Sequence, residues 1–134
     1  LMVLIHWVLS QMLMKCLNGL EKMVNKVIID KQKFLKNKFS TKLIVKRNND
    51  SIEVFIVLYN KSYFAYVNKC KHLDVELDWD PNNFFDDENR FIVCSTHGAL
   101  YEPTTGECVA GPCKGAHLES LTINETKSNI VIEV

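Results

Sequence analysis

Two short stretches, CKHL at residues 70–73 and CSTHGALY at residues 94–101, carry the strongest signal in this 134-residue sequence. In each stretch a cysteine stands within three residues of a histidine. Thiolate and imidazole side chains are frequent ligands of zinc and of iron. The pattern C-x-H, twenty-one residues, C-x-x-H therefore predicts one metal centre held by two loops, each of which supplies one ligand of each kind.

Two kinds of centre use two cysteines and two histidines. Structural zinc sites usually pair like ligands along the chain, as C-x2–4-C followed by H-x3–5-H. In a Rieske-type [2Fe–2S] centre, two thiolates bind one iron and two imidazoles bind the other. Mixed pairs fit the second arrangement better, so the sequence favours iron–sulfur, with zinc as the alternative. The candidate ligands are Cys70, His72, Cys94 and His97.

The rest of the sequence predicts an all-β fold. Short runs rich in β-branched and aromatic residues alternate with turn-forming residues, and no helical pattern lies between them. This spacing is typical of an antiparallel β sandwich or barrel. The predicted strands are 42–47, 52–59, 63–68, 90–94, 99–101, 118–123 and 129–134, and residues 109–115 are predicted to form a loop.

The residues around the two motifs resemble the Rieske ferredoxin family. CKHL is similar to the family's first ligand loop, C-x-H-L, and CSTHGALY is similar to the second, C-x-x-H-G-x-x-[FY]. Gly111-Pro112 is similar to the loop that covers the cluster in that family. The resemblance covers about residues 40–134. It implies one [2Fe–2S] cluster as the cofactor, bound by Cys70, His72, Cys94 and His97 in a subdomain at about residues 68–116.

Four further positions bear on the reduction potential that the resemblance implies. High-potential members of the family carry a disulfide between the ligand loops and a serine two residues after the second histidine. Here Val75, Thr96 and Ala99 stand at those places, while Tyr101 stands where a phenol can donate to a cysteine sulfur. Because hydrogen bonds to cluster sulfurs raise the potential, we expect the lower part of the Rieske band of roughly −150 to +300 mV.

The first 38 residues lie outside this resemblance. Residues 1–14 hold eleven apolar side chains, which is short of the roughly 20 residues of a membrane span, and they lack the basic start of a signal peptide. Residues 2–24 are predicted to be helical, and Met23 is a candidate for the true start. We therefore divide the chain into an N-terminal segment at residues 1–38 and a Rieske domain at residues 39–134. The N-terminal segment is predicted to be a helix, an upstream start artefact or a membrane anchor.

Charge and cysteine content indicate the class of partner and the compartment. The formal net charge is zero, which gives no general attraction to nucleic acid. Residues 74–88 contain seven acids and no base, and form either a solvated face or a surface for a basic redox partner. The five cysteines are an odd number for a secreted disulfide framework. We expect a cytoplasmic protein in which Cys108 and Cys113 are free thiols.

Aromatic residues in the long connection between the two motifs allow two interpretations. Trp79 and the pair Phe84-Phe85 either pack that connection against the domain or form an exposed apolar docking patch.

The resemblance implies a ferredoxin that passes single electrons from a reductase to an oxygenase or to another reductase. Outer-sphere transfer needs no acid, base or nucleophile, so no catalytic residue is assigned and catalysis by this chain alone is not expected. A terminal oxygenase needs a further 2-His-1-carboxylate iron site, and after His97 the sequence offers only His117. The alternatives are an accessory subunit of a larger reductase, such as nitrite reductase, and a redox-sensing regulator.

Overall fold

The computed structural model describes residues 25–36, 39–71, 73, 75–78 and 82–134. Within these ranges there are nine strands, which form two sheets, and one short helix. The elements are β1 (Lys26–Asp30), α1 (Lys31–Leu35), β2 (Ser40–Arg47), β3 (Asp50–Tyr59), β4 (Ser62–Val67), β5 (Ile92–Val93), β6 (Leu100–Tyr101), β7 (Cys108–Ala110), β8 (Ser120–Glu125) and β9 (Asn129–Glu133).

The larger sheet contains six antiparallel strands in the order β1-β9-β8-β4-β3-β2. Its strand β3 carries four consecutive buried residues, Val54–Val57. Neighbouring side chains of a strand point to opposite faces. Accordingly, Phe55 and Val57 join one apolar cluster and Ile56 joins another. The sheet is therefore covered by apolar packing on both faces along β3.

The two outer strands of this sheet approach each other. Val27 in β1 packs in the same apolar cluster as Val45 in β2. The side-chain amide of Asn25 donates to the carbonyl oxygen of Lys46 at 3.2 Å. The sheet is therefore curved into a nearly closed barrel, which confirms the predicted all-β antiparallel fold.

The smaller sheet, β5-β6-β7, packs on the outer side of β3. Phe84, which precedes this sheet, stacks on Phe55 with ring centroids 4.2 Å apart and planes 6° apart. Phe84 is fully buried and Phe85 is 7% exposed. This pair therefore fills the core between the sheets and forms no docking patch. Trp79, the third aromatic residue of that interpretation, lies outside the described residues.

Three elements of the structure, β1, α1 and β7, are absent from the sequence prediction. β1 pairs with β9 from Lys26 opposite Glu133 to Asp30 opposite Asn129. Residues 26–30 of the N-terminal segment thus belong to the same sheet as the following domain. Asp30 ends β1 and caps α1, because its carboxylate accepts the amide of Gln32 at 2.8 Å.

The predicted N-terminal helix falls on residues 2–24, which lie outside the described residues. In the part of the chain that the structure describes, no helix is long and apolar enough to cross a membrane. The division of the chain into residues 1–38 and 39–134 stays a prediction.

Two glycines with positive φ provide a matched test of the packing. At Gly106 (φ +75°) an added Cβ would lie 2.8 Å from Cε1 of Tyr66, whereas at Gly115 (φ +93°) it would meet no atom within 4 Å. Both alanine substitutions strain the backbone, by about 1–2 kcal/mol. We expect Gly106→Ala to lower the unfolding free energy by about 1–3 kcal/mol more than Gly115→Ala, because of the clash.

The measurement is urea unfolding of both variants, followed by circular dichroism. Equal losses of unfolding free energy in the two variants would show that the Tyr66 ring moves freely away from a Cβ added at Gly106.

Candidate metal centre

The first ligand loop follows β4 and turns sharply at Cys70. The Cys70 amide donates to the carbonyl oxygen of Val75 at 2.7 Å, and the Val75 amide donates to that of Leu73 at 2.6 Å. This turn holds the Cys70 side chain inside the protein, where the residue is 1% exposed, and leaves Leu73 and Val75 at the surface. His72 lies outside the described residues, so its predicted role stays a prediction.

The second ligand loop connects β5 to β6. The amide of Gly98 donates to the carbonyl oxygen of Cys94 at 2.8 Å, and the amide of Cys94 donates to that of Ala99 at 2.9 Å. Gly98 has a φ of +70°, a left-handed conformation that glycine adopts at no steric cost. The resulting turn buries Cys94 completely and leaves His97 exposed.

The two loops bring the thiols of Cys70 and Cys94 into hydrogen-bond contact. Burial, together with the Cys70 contact, raises the pKa of the Cys94 thiol, while the backbone amides of Thr96 and His97 donate to its sulfur and lower that pKa. Among the described residues, no three His, Cys, Asp or Glu side chains are grouped closely enough to hold a metal ion. The structure thus unites two of the four predicted ligands and places His97 at the adjacent surface.

A chain of hydrogen bonds fixes one ligand loop to the other. The carbonyl oxygen of Leu77 accepts the amide of Ser95 at 2.8 Å. The Leu77 amide in turn donates to Oδ1 of Asn68 at 2.9 Å, and Nδ2 of Asn68 donates to Asp78 at 2.9 Å. The carboxylate of Asp78, whose side chain is fully buried, lies 3.1 Å from Nζ of Lys42 in β2. The large sheet therefore positions both loops through one buried carboxylate.

The Gly111-Pro112 loop packs directly on the second ligand loop. Gly111 has a φ of +108°, and a Cβ added there would lie 2.9 Å from Cα of Ala99. Only glycine fits at this backbone approach. The structure therefore places the Gly111-Pro112 loop against the second ligand loop, as the sequence predicted.

Tyr101 is buried and lies beside the first ligand thiol. Its Oη is 3.4 Å from Sγ of Cys70 and 3.1 Å from Sγ of Cys113, and it accepts the amide of Lys71 at 3.1 Å. Burial is the main reason that the pKa of this phenol is raised far above its ordinary value. Tyr101 therefore keeps its proton and has one hydrogen to donate toward sulfur, as the sequence predicted.

The Rieske [2Fe–2S] domain matches residues 25–126 of the chain. The chain belongs to this family. Membership implies a Rieske-type [2Fe–2S] cluster and a protein that transfers electrons. A comparison with curated proteins finds no significant match.

Several solved structures share the fold at low sequence identity. The ferredoxin of carbazole 1,9a-dioxygenase from Nocardioides aromaticivorans IC177 is 20% identical, with a TM-score of 0.60 over 83% of this chain and 97% of that one. A Sphingomonas yanoikuyae B1 ferredoxin is 20% identical, with a TM-score of 0.54 over 72% and 88%. A complex of reduced oxygenase and oxidized ferredoxin in carbazole 1,9a-dioxygenase gives 17% identity and a TM-score of 0.54 over 71% and 90%.

The described donors fit the thiolate half of a Rieske cluster. Two buried cysteine sulfurs face each other, and one of them receives two backbone amides. Amide and phenol donors stabilise the negative charge of a ligating thiolate. Cys70 and Cys94 would hold one iron, and His72 and His97 would hold the other.

Two acids of the stretch 74–88 make structural contacts, while Glu76, Asp87 and Glu88 are exposed. Asp78 is buried against Lys42 and Asn68, and Oδ1 of Asp86 accepts the amides of Arg90 and Phe91 at 2.8 and 3.3 Å. Both carboxylates thus have structural roles. A run of acids gives no signal for such roles in the sequence, because each depends on a partner that the fold supplies.

We predict that Asp78→Ala loosens both ligand loops. Loss of this carboxylate leaves Nδ2 of Asn68 without its acceptor, while Lys42 keeps the carboxylate of Glu53 at 3.1 Å. The expected loss in unfolding free energy is about 1–3 kcal/mol, the cost of leaving a buried donor unsatisfied. Urea unfolding followed by circular dichroism measures it.

The matched control is Glu88→Ala. Glu88 pairs with Arg90 at the surface, where both side chains are about two-thirds exposed, so its loss costs less than about 0.5 kcal/mol. Similar losses in the two variants would contradict a special role for Asp78.

Proposed function

We propose that this protein is a ferredoxin, which accepts single electrons from a reductase and passes them to an oxygenase or a similar acceptor. The observation that carries the proposal is the placement of the ligand loops, with two buried thiols in contact and the imidazole of His97 exposed beside them. A bound Rieske cluster supplies a one-electron couple at this position. The proposed ligands are Cys70, His72, Cys94 and His97.

The surface around His97 suits a short-lived encounter. Leu73 and Val75 of the first loop are 46% and 38% exposed, and Gly111 and Pro112 are exposed beside the second. These four residues carry no charge, so covering them requires no desolvation of an ion, while Lys71 and Lys114 of the same loops are exposed and charged. Transient electron-transfer interfaces are small and need few anchors.

The fold similarity supports an oxygenase as the acceptor. The similar solved structures include ferredoxins of carbazole 1,9a-dioxygenase, one of them in a complex with its oxygenase. None of the four cysteines in the described part of the chain is in a disulfide, which agrees with a reducing compartment. We therefore propose that the protein works in the cytoplasm.

The ligand assignment is tested by replacing His97 in the full chain. Because His97 is exposed, His97→Ala should keep the circular dichroism of the fold but lose the Rieske electron paramagnetic resonance signal after dithionite reduction. His117→Ala is the control, since His117 is also exposed and carries no proposed ligand role. Iron and zinc are assayed in every sample.

In the unmodified protein we expect iron, the low average g value of a Rieske centre, and a reversible one-electron couple in voltammetry. Zinc without iron would overturn the proposal, and an unchanged signal in His97→Ala would overturn the ligand assignment.

Tyr101→Phe should lower the midpoint potential while the cluster stays bound. The phenol lies 3.4 Å from the Cys70 sulfur and can donate to it, and a hydrogen bond contributes about 1 kcal/mol, which for one electron corresponds to roughly 40 mV. Tyr66→Phe is the control, because the Tyr66 hydroxyl donates to the Pro103 carbonyl oxygen at 2.7 Å instead. Voltammetry that gives the same midpoint for both variants would show that Tyr101 does not donate to a ligand.

A further inference from the structure

We propose that Cys108 and Cys113 form a reversible dithiol–disulfide site whose state controls the hydrogen bond from Tyr101 to the ligand Cys70. The two sulfurs lie 3.0 Å apart, with the thiol of Cys113 donating to Cys108. Both are free thiols in the structure. Neither is a proposed ligand, so the site is distinct from the metal centre beside it.

Backbone hydrogen bonds fix the loop that carries the two cysteines, so only a small approach of the sulfurs is needed for an S–S bond of about 2.05 Å. The amide of Cys108 donates to the carbonyl oxygen of Ala116 at 2.7 Å, and the amide of Gly115 donates to that of Cys108 at 2.9 Å. The amide of Ala116 also donates to the carbonyl oxygen of Cys113 at 2.9 Å. These three bonds close the loop between the two cysteines and hold their side chains on the same side.

The two thiols differ in access and therefore in role. Cys108 is fully buried and donates to the carbonyl oxygen of Ala110 at 3.3 Å, and burial raises the pKa of its thiol to about 11. Cys113 is partly exposed and can reach a reagent in solution. Cys113 is therefore the thiol that reacts first, and Cys108 is the thiol that resolves the product.

The oxidant is a small disulfide such as oxidised glutathione. The Cys113 thiolate attacks one glutathione sulfur, which forms a Cys113–glutathione disulfide and releases one glutathione thiolate. The Cys108 sulfur then attacks Cys113, which forms the Cys108–Cys113 bond and releases the second glutathione thiolate. Two electrons pass from the protein thiols to glutathione, and the two thiol protons end on the two released glutathiones.

Tyr101 connects this pair to the metal centre. Its single hydroxyl hydrogen can point either to Cys113 at 3.1 Å or to Cys70 at 3.4 Å. In the reduced pair the Cys113 hydrogen points to Cys108, so the Cys113 sulfur can accept the Tyr101 hydrogen. In the disulfide the Cys113 sulfur is bonded to a second sulfur and offers less electron density to a donor. Formation of the Cys108–Cys113 bond therefore directs the Tyr101 hydrogen toward Cys70, which raises the potential of a cluster bound there.

The dithiol chemistry is tested in the cluster-loaded full chain carrying Cys16→Ser. The protein is equilibrated in reduced or oxidised glutathione, with its visible spectrum monitored, and is then denatured, alkylated and analysed by mass spectrometry. We expect four alkylated cysteines after reduction and two after oxidation, with Cys108 linked to Cys113 and dithiothreitol reversing the link. Alkylation of all four cysteines in oxidised glutathione would overturn the proposal.

The order of attack is tested with two serine variants. Cys108→Ser should accumulate a stable glutathione adduct on Cys113, because the resolving thiol is gone. Cys113→Ser should leave Cys108 without an adduct, because Cys108 is buried. An adduct on Cys108 would contradict the assigned roles.

The coupling to Tyr101 rests on the proposed function, because it requires Cys70 to be a ligand. The midpoint potential should rise on oxidation in the Cys16→Ser protein and should not move in Cys113→Ser, which forms neither the disulfide nor a glutathione adduct. In Tyr101→Phe the disulfide should form without a shift. A disulfide that leaves the midpoint of the parent protein unchanged would overturn the coupling. Absence of a Rieske signal would instead refute the proposed function, while the alkylation result still decides the dithiol chemistry.

Discussion

The hydrogen bond from the Ser95 amide to the Leu77 carbonyl oxygen, 2.8 Å long, joins two loops that are far apart in sequence. A metal centre shared by two loops exists only if both arrive at one point with their backbones fixed. Asn68 and Asp78 extend this bond into the protein, and Lys42 anchors it to the large sheet. The position of the two proposed ligand thiols therefore depends on hydrogen bonds and an ion pair among residues that are not themselves proposed ligands.

The proposed cysteine ligands are buried, whereas the proposed ligand His97 is exposed. Cys70 and Cys94 are inside the protein, where amide and phenol donors can stabilise thiolate charge without competition from water. His97 is at the surface, where a partner's cofactor can come close. This division is what an electron carrier needs, because the redox group is protected on one side and accessible on the other.

Local patterns in the sequence were sufficient to predict the ligand motifs, the β3–β4 hairpin and the class of fold. The Asn60-Lys61 turn, with both φ values positive, is an example of such local chemistry. β1 could not be predicted in the same way, because its five residues form a strand by pairing with β9 at the other end of the chain. The role of Asp78 and the contact of Cys113 with Tyr101 likewise depend on partners that only the folded chain brings together.

Mössbauer spectroscopy of the oxidised, iron-57-enriched protein tests most directly whether thiolates hold one iron and imidazoles the other. The placement of Cys70 and Cys94 together, with His97 apart from them, predicts two iron sites in equal amounts with different isomer shifts, because sulfur and nitrogen ligands donate charge differently. A single iron environment, as in a cluster held by four cysteines, would contradict the account.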